Sequence, residues 1–281
     1  MTAESRSFAL SLGSNLDEPR GWLDLAVQRI GELHGVSDLA RSGDWESAAV
    51  GGPVDQRPFV NTALRITSSL PADELLPALL AIETDLGRVR TVRWGPRPID
   101  IDLILSGPSA QVDRCSSASI ITTPWLTVPH PRWAVRQFVL QPLAELIPSW
   151  IDPLSGKTVM ELRDQWLRWP HVFAFAGIPS EQIDEWLAEV ISHISCLATD
   201  GQIDSAAGDS RPVLCRVGPA DRVPHAVFVP PDWYPAAPTE SFPHEWRTAA
   251  RVPLEFDPVG EIVAAVQAAN PMSIRRLAPE G

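Results

Sequence analysis

A layered protein that mixes helices with strands is what this sequence predicts, and three observations carry that reading. Over roughly the first 105 positions, short apolar segments of strand length alternate with segments whose apolar residues recur at helical spacing, the order expected of a layered α/β domain. A hydrophobic fraction of 44% against 21% charged residues is enough to fill a buried core. After about residue 165 the chain becomes richer in Pro, Ala and Trp, yet further strand-like and helix-like segments follow. With 281 residues, the chain is therefore read as a first domain over 7–164 and a second, small α/β domain over 165–281.

The elements follow in order. Residues 8–12 form a short apolar strand stopped by Gly13-Ser14-Asn15. A helix comes next, with Pro19 in its first turn and Leu23, Val27 and Ile30 at helical spacing. Residues 59–67 alternate as a strand. A second helix opens near Leu70-Pro71, carries Leu75, Leu76, Leu79, Ile82 and Leu86, and stops at Gly87, with Pro77 expected to kink it or shift its start. Residues 99–105 give the clearest strand. A polar loop covers 107–120, residues 128–131 are extended, and 138–140 open a short helix or strand. In the second half, 172–176, 213–217 and 226–229 read as strands, 183–194 and 259–269 as helices, and 200–211 as a polar loop.

Bulk charge narrows the function classes. A net charge of −12 repels polyanions, so neither nucleic acid nor an anionic membrane is the expected partner. No apolar run is long enough for a membrane span, and the polar first eight residues do not read as a signal peptide. Three cysteines without metal-binding spacing suit buried reduced thiols. A cytoplasmic protein is expected.

The segment that carries chemistry runs from Gly87 through four arginines (Arg88, Arg90, Arg93, Arg97) to Asp100-Ile101-Asp102. On a strand, Ile99, Ile101 and Leu103 enter the core while Asp100 and Asp102 project together from the other face. Two such carboxylates repel one another unless a cation lies between them, and hard oxygen ligands without nearby His or Cys favour magnesium. Arginine forks bind phosphate oxygens in pairs. The combination suits a magnesium–polyphosphate, although the same residues could simply pair with one another at the surface. No phosphate-binding loop of the Gly-x-x-x-x-Gly-Lys-Ser/Thr type is present. His130, between Pro129 and Pro131, could bond a phosphate or ribose, and Phe59 with Asn61 offers half a slot for a flat heterocycle. Taken singly, a lone histidine and lone aromatics are more often structural.

Taken together, four blocks resemble the 6-hydroxymethyl-7,8-dihydropterin pyrophosphokinase family. They are Leu12-Gly13-Ser14-Asn15; Phe59-Val60-Asn61; Arg93-Trp94-Gly95-Pro96-Arg97 leading into Asp100-Ile101-Asp102; and Val128-Pro129-His130-Pro131-Arg132 with Arg136 and residues 138–143. The resemblance covers roughly residues 7–160. It implies an α+β fold, a ferredoxin-like α/β sandwich with an antiparallel sheet. It implies that Asp100 and Asp102 bind two magnesium ions bridging the phosphates of ATP. Arg88 and Arg97 would stabilise the transferring pyrophosphoryl group. Glu83, Arg90, Arg93, Trp94, Thr127, His130 and Arg136 would shape the nucleotide site. Phe59 and Phe138 would sandwich the pterin, Asn61 would bond its edge, and Ser47 would lie beside it.

Departures from the family's pattern are Ser47-Ala48 where many members carry Thr-Pro, Phe59 where some carry Tyr, and Trp125 where some carry a phosphate-binding arginine. The loop from Arg88 to Trp94 is also one residue shorter than in some members. Residues 172–179 begin like a nucleotide kinase but lack its closing glycine and lysine, so the second half is read as an accessory domain, either degenerate and kinase-like or unrelated. It could carry a protein partner, with Trp186, Trp233 and Trp246 as surface or core residues. The competing functions are a phosphotransferase that releases ADP and an inactive pterin- or nucleotide-binding scaffold.

Overall fold

The computed structural model describes residues 5–109, 119–199, 211–215, 223–235, 246 and 248–279. Cys115 and the expected loop over 200–210 lie outside the described residues, as do positions 216 and 217 of the third strand expected in the second half.

β1 (Arg6–Ser14) is the strand around which the first sheet is built. It pairs antiparallel with β4 (Phe59–Ser68) on one side and with β5 (Asp100–Ser109) on the other. Beyond β4 come two short strands absent from the sequence reading, β2 (Val36–Arg41) and β3 (Trp45–Ser47), both antiparallel to it. Alternation on β1 decides which face covers which helix. Phe8, Leu10 and Leu12 pack with Leu23, Ala26 and Ile30 of α1 (Pro19–Gly31) and with Leu75 and Leu79 of α2 (Ala72–Asp85). Ala9 faces the opposite way, toward Leu140 and Leu143 of α3 (Gln137–Leu146). The protein is thus mixed α and β, with an antiparallel sheet between helical layers.

Pro77 lies inside α2, yet the helix starts at Ala72 and runs on to Asp85, so the proline neither shifts its start nor ends it. Asp73 and Glu74 in its first turn complement the helix dipole. The segment at 138–140 is helical. A two-stranded ribbon, β6 (Ile121–Thr122) with β7 (Thr127–Val128), leads into it.

After α4 (Val159–Gln165) the chain forms a second sheet. In chain order its strands are β8 (Val172–Phe175), β9 (Leu197–Thr199), β10 (Val213–Cys215), β11 (Ala226–Val229) and β12 (Ala250–Pro253), with α5 (Ser180–His193) after β8. All are parallel, in the spatial order β12-β11-β8-β10-β9. Two features tie this half to the first. Phe173, Phe175 and Phe228 share one apolar cluster with Leu140, Leu143 and Trp166, and with Ile262, Ala265 and Val266 of α6 (Pro258–Ala269). After α6, β13 (Ile274–Arg276) turns back and pairs antiparallel with β3, extending the first sheet. Trp166, fully buried, donates from Nε1 to the Ala134 carbonyl at 2.9 Å. Trp246 is buried and Trp186 packs partly buried on the same shared cluster.

Because one apolar cluster is fed from both halves, thermal unfolding is expected as a single cooperative transition. A fragment ending at residue 164 should melt lower than the full chain. Calorimetry of the two proteins checks this, and two well-separated transitions in the full chain would contradict it.

Candidate active site

β5 delivers the two carboxylates. Ile101 and Leu103 turn into the core with α2, and Asp100 and Asp102 project from the opposite face with side chains 19% and 32% exposed. Their cross-strand neighbours on β1 are Gly13 and Ser11. These small residues leave an open floor, and both line the cavity above it.

The arginine-rich loop folds over this floor because carboxylates hold it from several sides. Glu83, buried at the end of α2, accepts from the Ile101 amide at 2.7 Å, from Arg90 Nη2 at 3.2 Å and from Arg88. Asp100 accepts from Arg88 and from Arg97 Nη2 at 2.7 Å. Burial alone would push the Asp100 carboxyl up, but Arg97 and Arg88 hold it below the usual carboxylate range. For Glu83 burial wins and the carboxyl is raised, against the Ile101 amide and Arg88. Asp102 has looser company, His130 Nε2 at 3.9 Å and Arg136 Nη1 at 3.8 Å. Burial holds the His130 imidazole below its usual value, although the nearby Asp102 pulls it up.

Two residues that the sequence reading gave no role fasten the loop. Asn15 Oδ1 accepts from the Arg97 amide at 2.9 Å, and Gln56 Nε2 donates to the Trp94 carbonyl at 3.1 Å. Trp94 has a left-handed backbone, φ +55°, and a Cβ on Gly52 (φ +72°) would lie 2.4 Å from its carbonyl oxygen, so glycine is required there.

Phe59, Asn61, Ser47 and Phe138 come together on one side of the cavity. Asn61 Nδ2 donates to Ser47 Oγ at 3.0 Å and to the Trp45 carbonyl at 3.2 Å, which fixes which end of the amide those partners occupy. The Arg97 guanidinium stands 4.9 Å over the Phe59 ring and that of Arg136 5.6 Å over Phe138. Each aromatic is therefore joined to a phosphate-binding type of side chain.

Two cavities share this floor. The first, about 480 Å³, holds those four residues together with Arg93, Trp94 and Arg136. The second, about 410 Å³, is lined by Glu83, Thr127, the exposed Trp125 and the apolar Leu76 and Leu80. Arg88, Arg90, Asp100, Asp102 and His130 line both. Arg93, Trp94 and Arg136 thus lie on the side of Phe59 and Phe138, whereas Glu83 and Thr127 lie on the other. His130 Nδ1 and Arg97 Nε are buried without hydrogen-bond partners among the described residues, which leaves capacity for a ligand. Among the described residues no group of three or more His, Cys, Asp or Glu gathers to hold a metal. Two carboxylates are not the closed set of a structural zinc, but they suit magnesium, which draws its other ligands from phosphates and water. The donor set fits.

Paired acidic groups inside a ring of arginines, beside two aromatic side chains, are the kinds of group that an enzyme acting on polyphosphates requires. Residues 9–148 match the family described as 7,8-dihydro-6-hydroxymethylpterin-pyrophosphokinase. Three curated relatives carry the name 2-amino-4-hydroxy-6-hydroxymethyldihydropteridine pyrophosphokinase. That of Synechocystis is 37% identical over 156 residues, 56% of this chain and 74% of its own. That of Pseudomonas aeruginosa is 40% identical over 153 residues, 54% and 87% of the two chains, and that of Methylorubrum extorquens 40% over 152, 54% and 88%. The chain belongs to this pyrophosphokinase family. A solved structure described as HPPK-DHPS in complex with substrates aligns at 11% identity and a TM-score of 0.42, over 73% of this chain and 60% of that one, and carries nothing further. No helix among the described residues is long and apolar enough to cross a membrane.

Asp100→Asn is expected to destabilise the unliganded protein by about 1–3 kcal/mol, because it weakens charged hydrogen bonds from two arginines. Asp102→Asn, with distant partners, should stay within about 0.5 kcal/mol of the parent. Urea titrations of both variants check this. The sign with pH follows from Asp100's lowered value: its contribution is complete above the unfolded carboxyl value of about 3.9 and is lost only as pH falls through the folded one. Acid titration of the parent against Asp100→Asn should show that acid-labile increment missing from the variant.

Proposed function

We propose that the chain transfers the pyrophosphoryl group of ATP to 6-hydroxymethyl-7,8-dihydropterin, giving the pterin diphosphate and AMP. The observation that carries this reading is the junction of the two cavities. The slot of Phe59, Asn61, Ser47 and Phe138 opens into the first, the apolar wall of Leu76 and Leu80 belongs to the second, and the charged groups are common to both. A two-substrate transfer needs that layout, with acceptor and donor on either side of the phosphates.

The pterin ring lies between Phe59 and Phe138, with the free face of Asn61 reading its edge. The nucleoside occupies the second cavity, near Thr127 and beside Glu83, and the triphosphate crosses the shared floor. Arg90, Arg93, Trp94, His130 and Arg136 shape that passage. The pterin hydroxymethyl oxygen bonds to the β-phosphorus and loses its proton to water as the bond from that phosphorus to the α,β-bridging oxygen breaks, and AMP leaves with the bridging oxygen. Arg88 and Arg97 neutralise the group in transit, and positioning with charge neutralisation supplies the catalysis. Asp100 and Asp102 would hold two magnesium ions, which when bound screen the phosphate oxygens. With a metal bound, Asp100 would share its carboxylate between that ion and its partners Arg88 and Arg97, and both arginines would be available to phosphate oxygens. The helices and antiparallel sheet around the site support a ferredoxin-like arrangement for residues 7–164. Residues 165–281 are read as an accessory unit whose five parallel strands suit a degenerate kinase-like origin, and it could also carry a protein partner.

Incubation with ATP, magnesium and hydroxymethyldihydropterin should release AMP in step with pterin diphosphate. Release of ADP would replace this reading by simple phosphorylation, and no nucleotide release by a retained scaffold. Asp100→Ala and Asp102→Ala are each expected to lower turnover by at least about a thousandfold; near-normal rates in either would refute the metal assignment.

A further inference from the structure

The arginine-rich loop is anchored from a part of the chain that the family match does not reach. Glu261, in the first turn of α6, is fully buried. Its carboxylate accepts from Arg93 Nη2 at 2.5 Å, from Arg132 Nη2 at 3.0 Å and from the Glu255 amide at 2.6 Å. The Arg93 guanidinium also stands over two rings, Trp94 at 4.5 Å and Phe256 at 5.8 Å, the second again from the C-terminal region. Ala264, Ala265 and Ala268 of the same helix line the first cavity. Arg132 has a left-handed backbone, φ +72°, and Trp94 follows Arg93 with φ +55°. Both of Glu261's guanidinium partners thus sit at or beside conformations that non-glycine residues adopt only when held.

We propose that Glu261 is a positioning residue for the proposed transfer: α6 supplies a carboxylate that docks Arg93 and Arg132 against the cavity wall and so pre-orders the loop over 88–97 before nucleotide arrives. The physical need is plain. Four arginines on one short loop repel one another, and Glu83 and Asp100 hold only Arg88, Arg90 and Arg97. Gln56 holds the loop's backbone at Trp94, but without a third carboxylate the Arg93 side chain would have no charged anchor, and each binding event would have to order it again. Because Glu261 contacts arginines and backbone amides and not the reacting atoms, it acts through the loop.

This inference rests on the proposed activity for its kinetic part only. Glu261→Gln keeps an acceptor for the Glu255 amide but removes the charge. It should raise KM for ATP by about five- to tenfold and speed amide hydrogen exchange over residues 88–96 in protein without ligands. The unsubstituted protein is assayed alongside. If that protein releases no AMP, the activity reading fails, while loop exchange still judges the tether. Unchanged exchange in the loop, or a fall in activity that follows only the fraction folded with KM for ATP unaltered, would overturn it. Should Glu261→Gln not fold, Arg93→Met, whose parent side chain is 41% exposed, removes the same contact from the loop's side. It should speed the same amides, and protection equal to the parent would equally overturn the proposal.

Discussion

The structure depends on keeping a dense set of like charges in one place before any phosphate arrives. Arg88, Arg90, Arg93 and Arg97 come from one short loop, and Arg132 and Arg136 join them from the other side of the floor. Each has a carboxylate within 4 Å, drawn from Glu83, Asp100, Asp102 or Glu261. Those carboxylates sit on α2, β5 and α6, elements rigidly packed by their apolar faces. The core therefore sets where the acids stand, and the acids set where the arginines stand. A polyanion entering the cavity competes for groups that are already gathered and already partly desolvated, conditions under which an electrostatic contact is strongest.

The two carboxylates of the candidate site are not equivalent. Asp100 is closely engaged by two guanidiniums, and Asp102 stands off from His130 and Arg136 at nearly 4 Å. A cation held by this pair, as proposed, would meet one open acid and one guarded by Arg88 and Arg97, so that its binding would compete with those two ion pairs.

Much of the candidate site's geometry was legible from sequence because period-two alternation on β5 and the run of arginines are local features. Asp100 and Asp102 share a face for the reason their spacing gives. Phe59, Asn61, Ser47 and Phe138 come from three separate elements, and it was the resemblance, not periodicity, that brought them together. The strands beyond β4 were illegible: β2 has no alternating burial, and β3 and β13 have three residues each. The pairing of β13 with β3 joins residues more than 200 positions apart, a contact no local pattern encodes. Glu261 was hidden for a related reason. On its helix it looks like an ordinary first-turn acid, favourable to the dipole, and its partners Arg93 and Arg132 appear only when α6 is folded against the first sheet.

The central claim is that Asp100 and Asp102 bind a cation together with a triphosphate, and titration calorimetry with a non-hydrolysable ATP analogue tests it most directly. With magnesium present the analogue should bind at least about tenfold more tightly than with a chelator, and Asp102→Asn should erase most of that difference. Equal affinity with and without magnesium in the unsubstituted protein would contradict the account.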